Sequence, residues 1–280
     1  MPTLNEKLKI AFTRFQTADF KAARSLYEDT LMQDPQNPEA LFYLALIEIQ
    51  QDHFGQALQR LLQVSQIYPD KIEILEPLGA CLLQLNRIQE AEIVLEKALL
   101  INPNSIAVLK NLAYCNAILQ RPEKTIQFLE QAKILEPANL EVNTRLAQAY
   151  KSVGEIGKCR ALIEEFLKEN KPNKEMYFLL GLCYQVQQKW LLARETYLQA
   201  KQLGGDQSEI LNNLGIAEHK LGNLVSAQKI FEEAISLRAN FPQAHVNLGM
   251  VLADLADWLD RKSTRLNSSH SQQSRMPSSA

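Results

Sequence analysis

A step of 34 residues constrains this chain more than any other feature. With the small residue of each unit set as position 8, that column reads Ala11, Ala45, Gly79, Ala113, Ala147, Gly181, Gly215 and Gly249. The residue before it is Ile10, then Leu44, Leu78, Leu112, Leu146, Leu180, Leu214 and Leu248. Position 20 gives Ala23, Ala57, Ala91, Thr125, Cys159, Ala193 and Ala227, and position 24 gives Tyr27, Leu61, Leu95, Leu129, Ile163, Tyr197 and Phe231. No insertion interrupts seven full units and the first half of an eighth. A fixed period of this size marks a repeat array, whose units pack mainly on their sequence neighbours.

Within a unit the spacing is helical. Positions 4, 7, 8 and 11 share one face of a first helix, and positions 20, 24 and 27 share one face of a second. Small residues at 8 and 20 let the two backbones approach, while large ones at 7 and 24 fill the space around them. Proline at position 32 (Pro35, Pro69, Pro103, Pro137) ends the second helix. Asn37, Ser105, Asn139 and Asn173 at position 34 then cap the next one. Glutamates follow at position 2, Glu39, Glu73, Glu141, Glu175 and Glu209, where they complement the positive end of the helix dipole.

These columns resemble the tetratricopeptide repeat (TPR) family over residues 4–259. The resemblance implies an all-α, right-handed α-solenoid of about seven and a half 34-residue helix-turn-helix repeats, with the first helices lining a concave groove. The expected units are 4–37, 38–71, 72–105, 106–139, 140–173, 174–207, 208–241 and a truncated 242–259. The fifth is irregular: Cys159 and Phe166 replace alanines, and Pro172 comes one place late. In the eighth, Trp258 matches Phe20, Phe54 and Trp190 at position 17, but position 20 is Arg261 and the pattern stops. Residues 260–280 are Ser-rich and hold almost no apolar content, which predicts disorder. The stretch Asp260 to His270, DRKSTRLNSSH, also resembles the translation of a sequencing-library adapter, so the tail is read as non-native. The native protein is expected to continue past Leu259. As it stands, the chain is expected to fray or self-associate at its uncapped C-terminal end.

Composition removes several function classes. The net charge is −2, which favours neither nucleic acid nor an anionic membrane as partner. There is no apolar run long enough for a transmembrane helix or a secretory leader. Cys81, Cys115, Cys159 and Cys183 form no C-x-x-C pair and read as buried thiols in a reducing, cytoplasmic setting. No phosphate-binding loop, nucleophile elbow or zinc-protease motif is present, so catalysis, metal and cofactor binding are not expected.

The concave face remains. In the first two units it carries Leu8, Phe12, Phe15, Phe42, Leu46 and Ile49. Two readings stay open: a groove for an apolar peptide, amphipathic helix or second copy, or N-terminal packing that hides these side chains. Further along the face turns polar, with Lys110, Asn111, Tyr114, Arg145, Gln148 and Lys151, then Asn212, Asn213, His219, Lys220 and Asn247. The carboxylate clamp of chaperone-binding TPR proteins is not met, since Lys110 is followed by Tyr114 and Arg145. The asparagine ladder of O-linked N-acetylglucosamine transferase arms is met in part, by Asn111, Asn213 and Asn247, and interrupted at Arg145 and Leu179. The chain therefore reads as a protein- or peptide-binding scaffold. The alternative is the N-terminal recruiting arm of a larger glycosyltransferase, sulfotransferase or methyltransferase, truncated before its catalytic domain.

Overall fold

The computed structural model describes residues 3–205 and 207–273, with side chains through Arg261. It holds fifteen α-helices and, among the described residues, no strand. The chain divides into two units, Met1–Ala149 and Tyr150–Ala280. The division falls in the fifth repeat, inside α9 (Leu140–Ser152).

The first unit contains α1 (Leu4–Gln16), α2 (Phe20–Gln33), α3 (Pro38–Gln50), α4 (Phe54–Ile67), α5 (Ile72–Gln84), α6 (Ile88–Ile101), α7 (Ile106–Ile118) and α8 (Pro122–Leu135). They pack as consecutive hairpins, α1 on α2 through α7 on α8, and each hairpin packs on the next. The second unit contains α10 (Ile156–Glu169), α11 (Lys174–Val186), α12 (Trp190–Gln202), α13 (Ser208–Lys220), α14 (Leu224–Leu237) and α15 (Pro242–Gln273). Its hairpins are α11 with α12 and α13 with α14, flanked by α10 and α15.

The pairing of small with large residues is steric. A methyl group added at Gly79 would fall 2.5 Å from Leu95 Cγ, and one at Gly215 would fall 2.7 Å from Phe231 Cε1. At Gly181 it would overlap the Tyr197 ring. At Gly249, the equivalent position of the eighth repeat, it would meet nothing within 4 Å, because no second helix folds back there. The caps also form: Asn37, Ser105, Asn139 and Asn173 accept from the amides of Ala40, Val108, Val142 and Met176 at 3.0–3.3 Å.

The turn inside each hairpin carries a feature that sequence reading passes over. Position 15 has a left-handed φ in all seven full repeats: Ala18, Asp52, Asn86, Gln120, Gly154, Gln188 and Gly222, between 55° and 81°. The amide one residue later donates back to the carbonyl five residues before it, as in His53 to Glu48 at 2.8 Å and Asn223 to Glu218 at 2.9 Å. This is the Schellman closure of a helix C-terminus. Only two of the seven residues are glycine, so the composition signal is faint.

The eighth repeat departs from expectation. Its position 15, Ala256, stays helical, and α15 runs unbroken for 32 residues. Trp258 therefore lies within a helix instead of starting a second one, and that helix extends to Gln273. The physical reason is that neither glycine nor proline occurs from Met250 to Gln273, so nothing in that stretch stops the helix. Residues 274–280 of the expected tail lie outside the described residues. All four cysteines are free and buried, and the Sγ atoms of Cys159 and Cys183 lie 3.2 Å apart between α10 and α11.

Candidate functional site

In the first unit, the N-terminal apolar stripe is drawn together by Tyr43, which was not among the expected site residues. Its ring centroid lies 5.3 Å from Phe12, 5.1 Å from Phe15 and 5.3 Å from Phe42, and it stacks on Tyr27 at 5.5 Å with the rings 10° from parallel. Burial first, and then nearby Glu39, push the Tyr43 hydroxyl pKa up; Tyr27, deeper still, is raised further by the same causes and by Tyr43 itself. Leu8 is a core residue at 7% exposure, and Phe12 and Phe15 are half-buried. Packing accounts for these three. Ile49 is half-buried against the core of the next hairpins.

Phe42 also packs on that core, but it and Leu46 open onto a cavity as well. Together with Ile72, Glu73, Glu76, Pro77, Ala80, Asn102 and Asn111 they line a cavity of about 490 Å³ built from the first helices of three successive repeats. Its wall is apolar from Phe42, Leu46, Ile72, Pro77 and Ala80, and its polar groups are two carboxylates and two carboxamides. Pro77 sits inside α5, as its sixth residue. It has no N–H to offer the carbonyl of Glu73, so that acceptor is left without its helical donor beside the cavity both residues line. Interior proline costs a helix about 3 kcal/mol, a local violation of the kind that collects at functional sites.

The polar residues that follow are largely occupied. Lys110 and Arg145 both bind Glu141, Arg145 at 3.0 Å, and the Arg145 guanidinium lies 5.8 Å above the exposed Tyr114 ring. Gln148 is exposed. Within the second unit, Lys151 is half-buried, and Asn212 is buried at 6% exposure and accepts from Asn247 at 2.9 Å. Asn213 donates to the Glu209 carbonyl of its own helix at 2.9 Å, and His219 Nε2 lies 2.6 Å from Asp254 Oδ2. Lys220 is exposed. Two of the three asparagines that suggest a ladder in the sequence are thus engaged within the fold, Asn213 by its own helix and Asn247 by Asn212, while Asn111 lines the cavity. Among the described residues no cluster of His, Cys, Asp or Glu could hold a metal, and no helix is long and apolar enough to cross a membrane.

Family models match the chain in four places. Tetratricopeptide repeat models match residues 144–208 and 208–241, the model of anaphase-promoting complex subunit 3 matches 16–98, and that of the coatomer epsilon subunit matches 61–153. The chain is 32% identical over 95 residues to a probable UDP-N-acetylglucosamine–peptide N-acetylglucosaminyltransferase, SPINDLY, of Arabidopsis thaliana; this match takes in 34% of the chain and only 10% of the plant protein. Among solved structures it resembles the C-terminal part of a TPR protein from Cytophaga hutchinsonii (TM-score 0.72, 14% identity, 86% of this chain and 99% of that one). It also resembles a TPR protein from Parabacteroides merdae (TM-score 0.62, 15% identity, 89% and 98%). A third likeness is to YrrB, described as a TPR protein with an unusual peptide-binding site (TM-score 0.57, 12% identity, 66% and 95%). The fold is an all-α solenoid of tetratricopeptide repeats.

Proposed function

We propose that the chain is a non-catalytic, cofactor-free cytoplasmic scaffold that binds a protein or peptide segment on the concave face of its repeats. The observation that carries this reading is the cavity lined by Phe42, Leu46, Pro77, Ala80 and Asn111, which puts an apolar wall and hydrogen-bonding groups on the first-helix face of three successive repeats. The peptide-binding description of YrrB is in keeping with it. Of the expected contact residues, Phe42, Leu46 and Asn111 form the centre of this reading; Leu8, Phe12 and Phe15 support it from behind. The test is selection of a random peptide library on the full chain, with Ala80→Arg as counter-screen, since that side chain fills the cavity. Enrichment on the parent chain and its loss on Ala80→Arg is the expected result. Equal enrichment on both would place binding elsewhere.

Two further uses have specific support. The similarity to the plant transferase favours a recruiting arm of a larger enzyme, and sequencing the intact transcript past the codon for Leu259 decides it. Self-association through α15 is favoured by exposed Val246, Met250, Leu252 and Leu259, and light scattering against concentration decides that.

A further inference from the structure

We infer that the cavity of the second to fourth repeats selects a segment in which a cationic side chain stands beside a large apolar one. The proposal rests on the groove-binding reading and adds the chemistry of the occupant. Family analogy, through the carboxylate clamp, leads one to expect an anionic partner; the lining of this cavity is of the opposite sign. It holds Glu73 and Glu76 and no lysine or arginine. Glu73 is exposed and has no hydrogen bond or ion pair among the described residues. Glu76 accepts one weak bond, from Ser105 Oγ at 3.2 Å.

The cations close by in sequence are engaged elsewhere. Lys71 holds its ammonium 4.3 Å above the Tyr68 ring, in an adjoining cavity that shares Phe42 and Glu73 with this one, and Lys110 is paired with Glu141. A guanidinium, with donors in a planar fork, suits the two carboxylates. Phe42, Leu46, Pro77 and Ala80 supply the surface for an apolar neighbour. Charge complementarity and apolar wall therefore point to one occupant: a protein segment carrying Arg or Lys flanked by Leu-sized side chains.

The experiment is a fluorescence-anisotropy titration of the full chain with three labelled, end-blocked heptapeptides, Gly-Ser-Leu-Xaa-Leu-Ser-Gly, where Xaa is Arg, Glu or norleucine. The Arg peptide should bind about tenfold or more tighter than either of the others at low salt. Glu73→Gln with Glu76→Gln should bring the three together. Both substitutions are near the surface and leave the core intact, which a thermal melt verifies. Equal binding of the Arg and Glu peptides to the parent chain, or a preference that survives the double substitution, overturns the inference. If the three bind alike and Ala80→Arg abolishes all of them, the groove reading stands without the charge selection. If none binds, both readings fall.

Discussion

The same first-helix positions do opposite work in the two units. In the third repeat, positions 5, 6 and 9 are Glu76, Pro77 and Ala80, and they open onto a cavity. In the seventh, positions 5 and 6 are Asn212 and Asn213; one is buried against Asn247 and the other is tied to its own backbone. A polar side chain on a concave wall is therefore poor evidence of ligand contact, because a neighbouring repeat can satisfy it. An apolar wall beside carboxylates that at most one hydroxyl engages is better evidence, since little among the described residues completes it.

The largest way to break the comparison is to remove what holds the first unit's stripe together. Tyr43→Ala takes away the ring that touches Phe12, Phe15, Tyr27 and Phe42 and should cost about 3 kcal/mol by denaturant unfolding. Pro77→Ala should act in the other direction, raising stability by about 2–3 kcal/mol by the same measurement, because the Glu73 carbonyl regains its helical donor. Asn212→Ala should cost about 1–2 kcal/mol by stranding Asn247 and leave peptide affinity unchanged. Half-buried Leu46→Ser, by contrast, should cost about 1 kcal/mol and lose the peptide. The smallest expected effect is Ala18→Gly, a gain of about 0.5–1 kcal/mol from relieving a left-handed alanine in the first hairpin turn, read as a shift in the unfolding midpoint.

Much of the fold is legible in the sequence because steric pairs leave a mark in composition. Gly79 with Leu95, Gly181 with Tyr197 and Gly215 with Phe231 are visible as columns, and the structure shows each as a contact that a single methyl group would spoil. The hairpin turn is less legible: its left-handed residue is Gln at 120 and 188 and Ala at 18, held by the bond that closes the helix end and not by residue type. The unbroken α15 escaped for a related reason, since the absence of a stop is weaker as a signal than a stop. At the candidate site, helical spacing alone puts Phe42 and Leu46 on one face of α3. The role of Pro77 could not be read that way, because it stands in a column that varies from repeat to repeat (Lys9, Tyr43, Asn111, Arg145, Leu179), and its effect is felt at Glu73, one turn away. The bond between Asn212 and Asn247 is not legible either, because the partner lies 35 residues on, in the next repeat.

The central claim is that the first unit's concave face receives the partner while the second unit's polar face is structural. Photo-crosslinking tests it most directly, with a photo-leucine in place of either leucine of the Arg heptapeptide and mass spectrometry of the labelled chain. The account predicts adducts on α3 and α5, at Phe42, Leu46, Pro77 or Ala80, that disappear in Ala80→Arg. Adducts on α13 or α15, around Asn213 or Asn247, would contradict it.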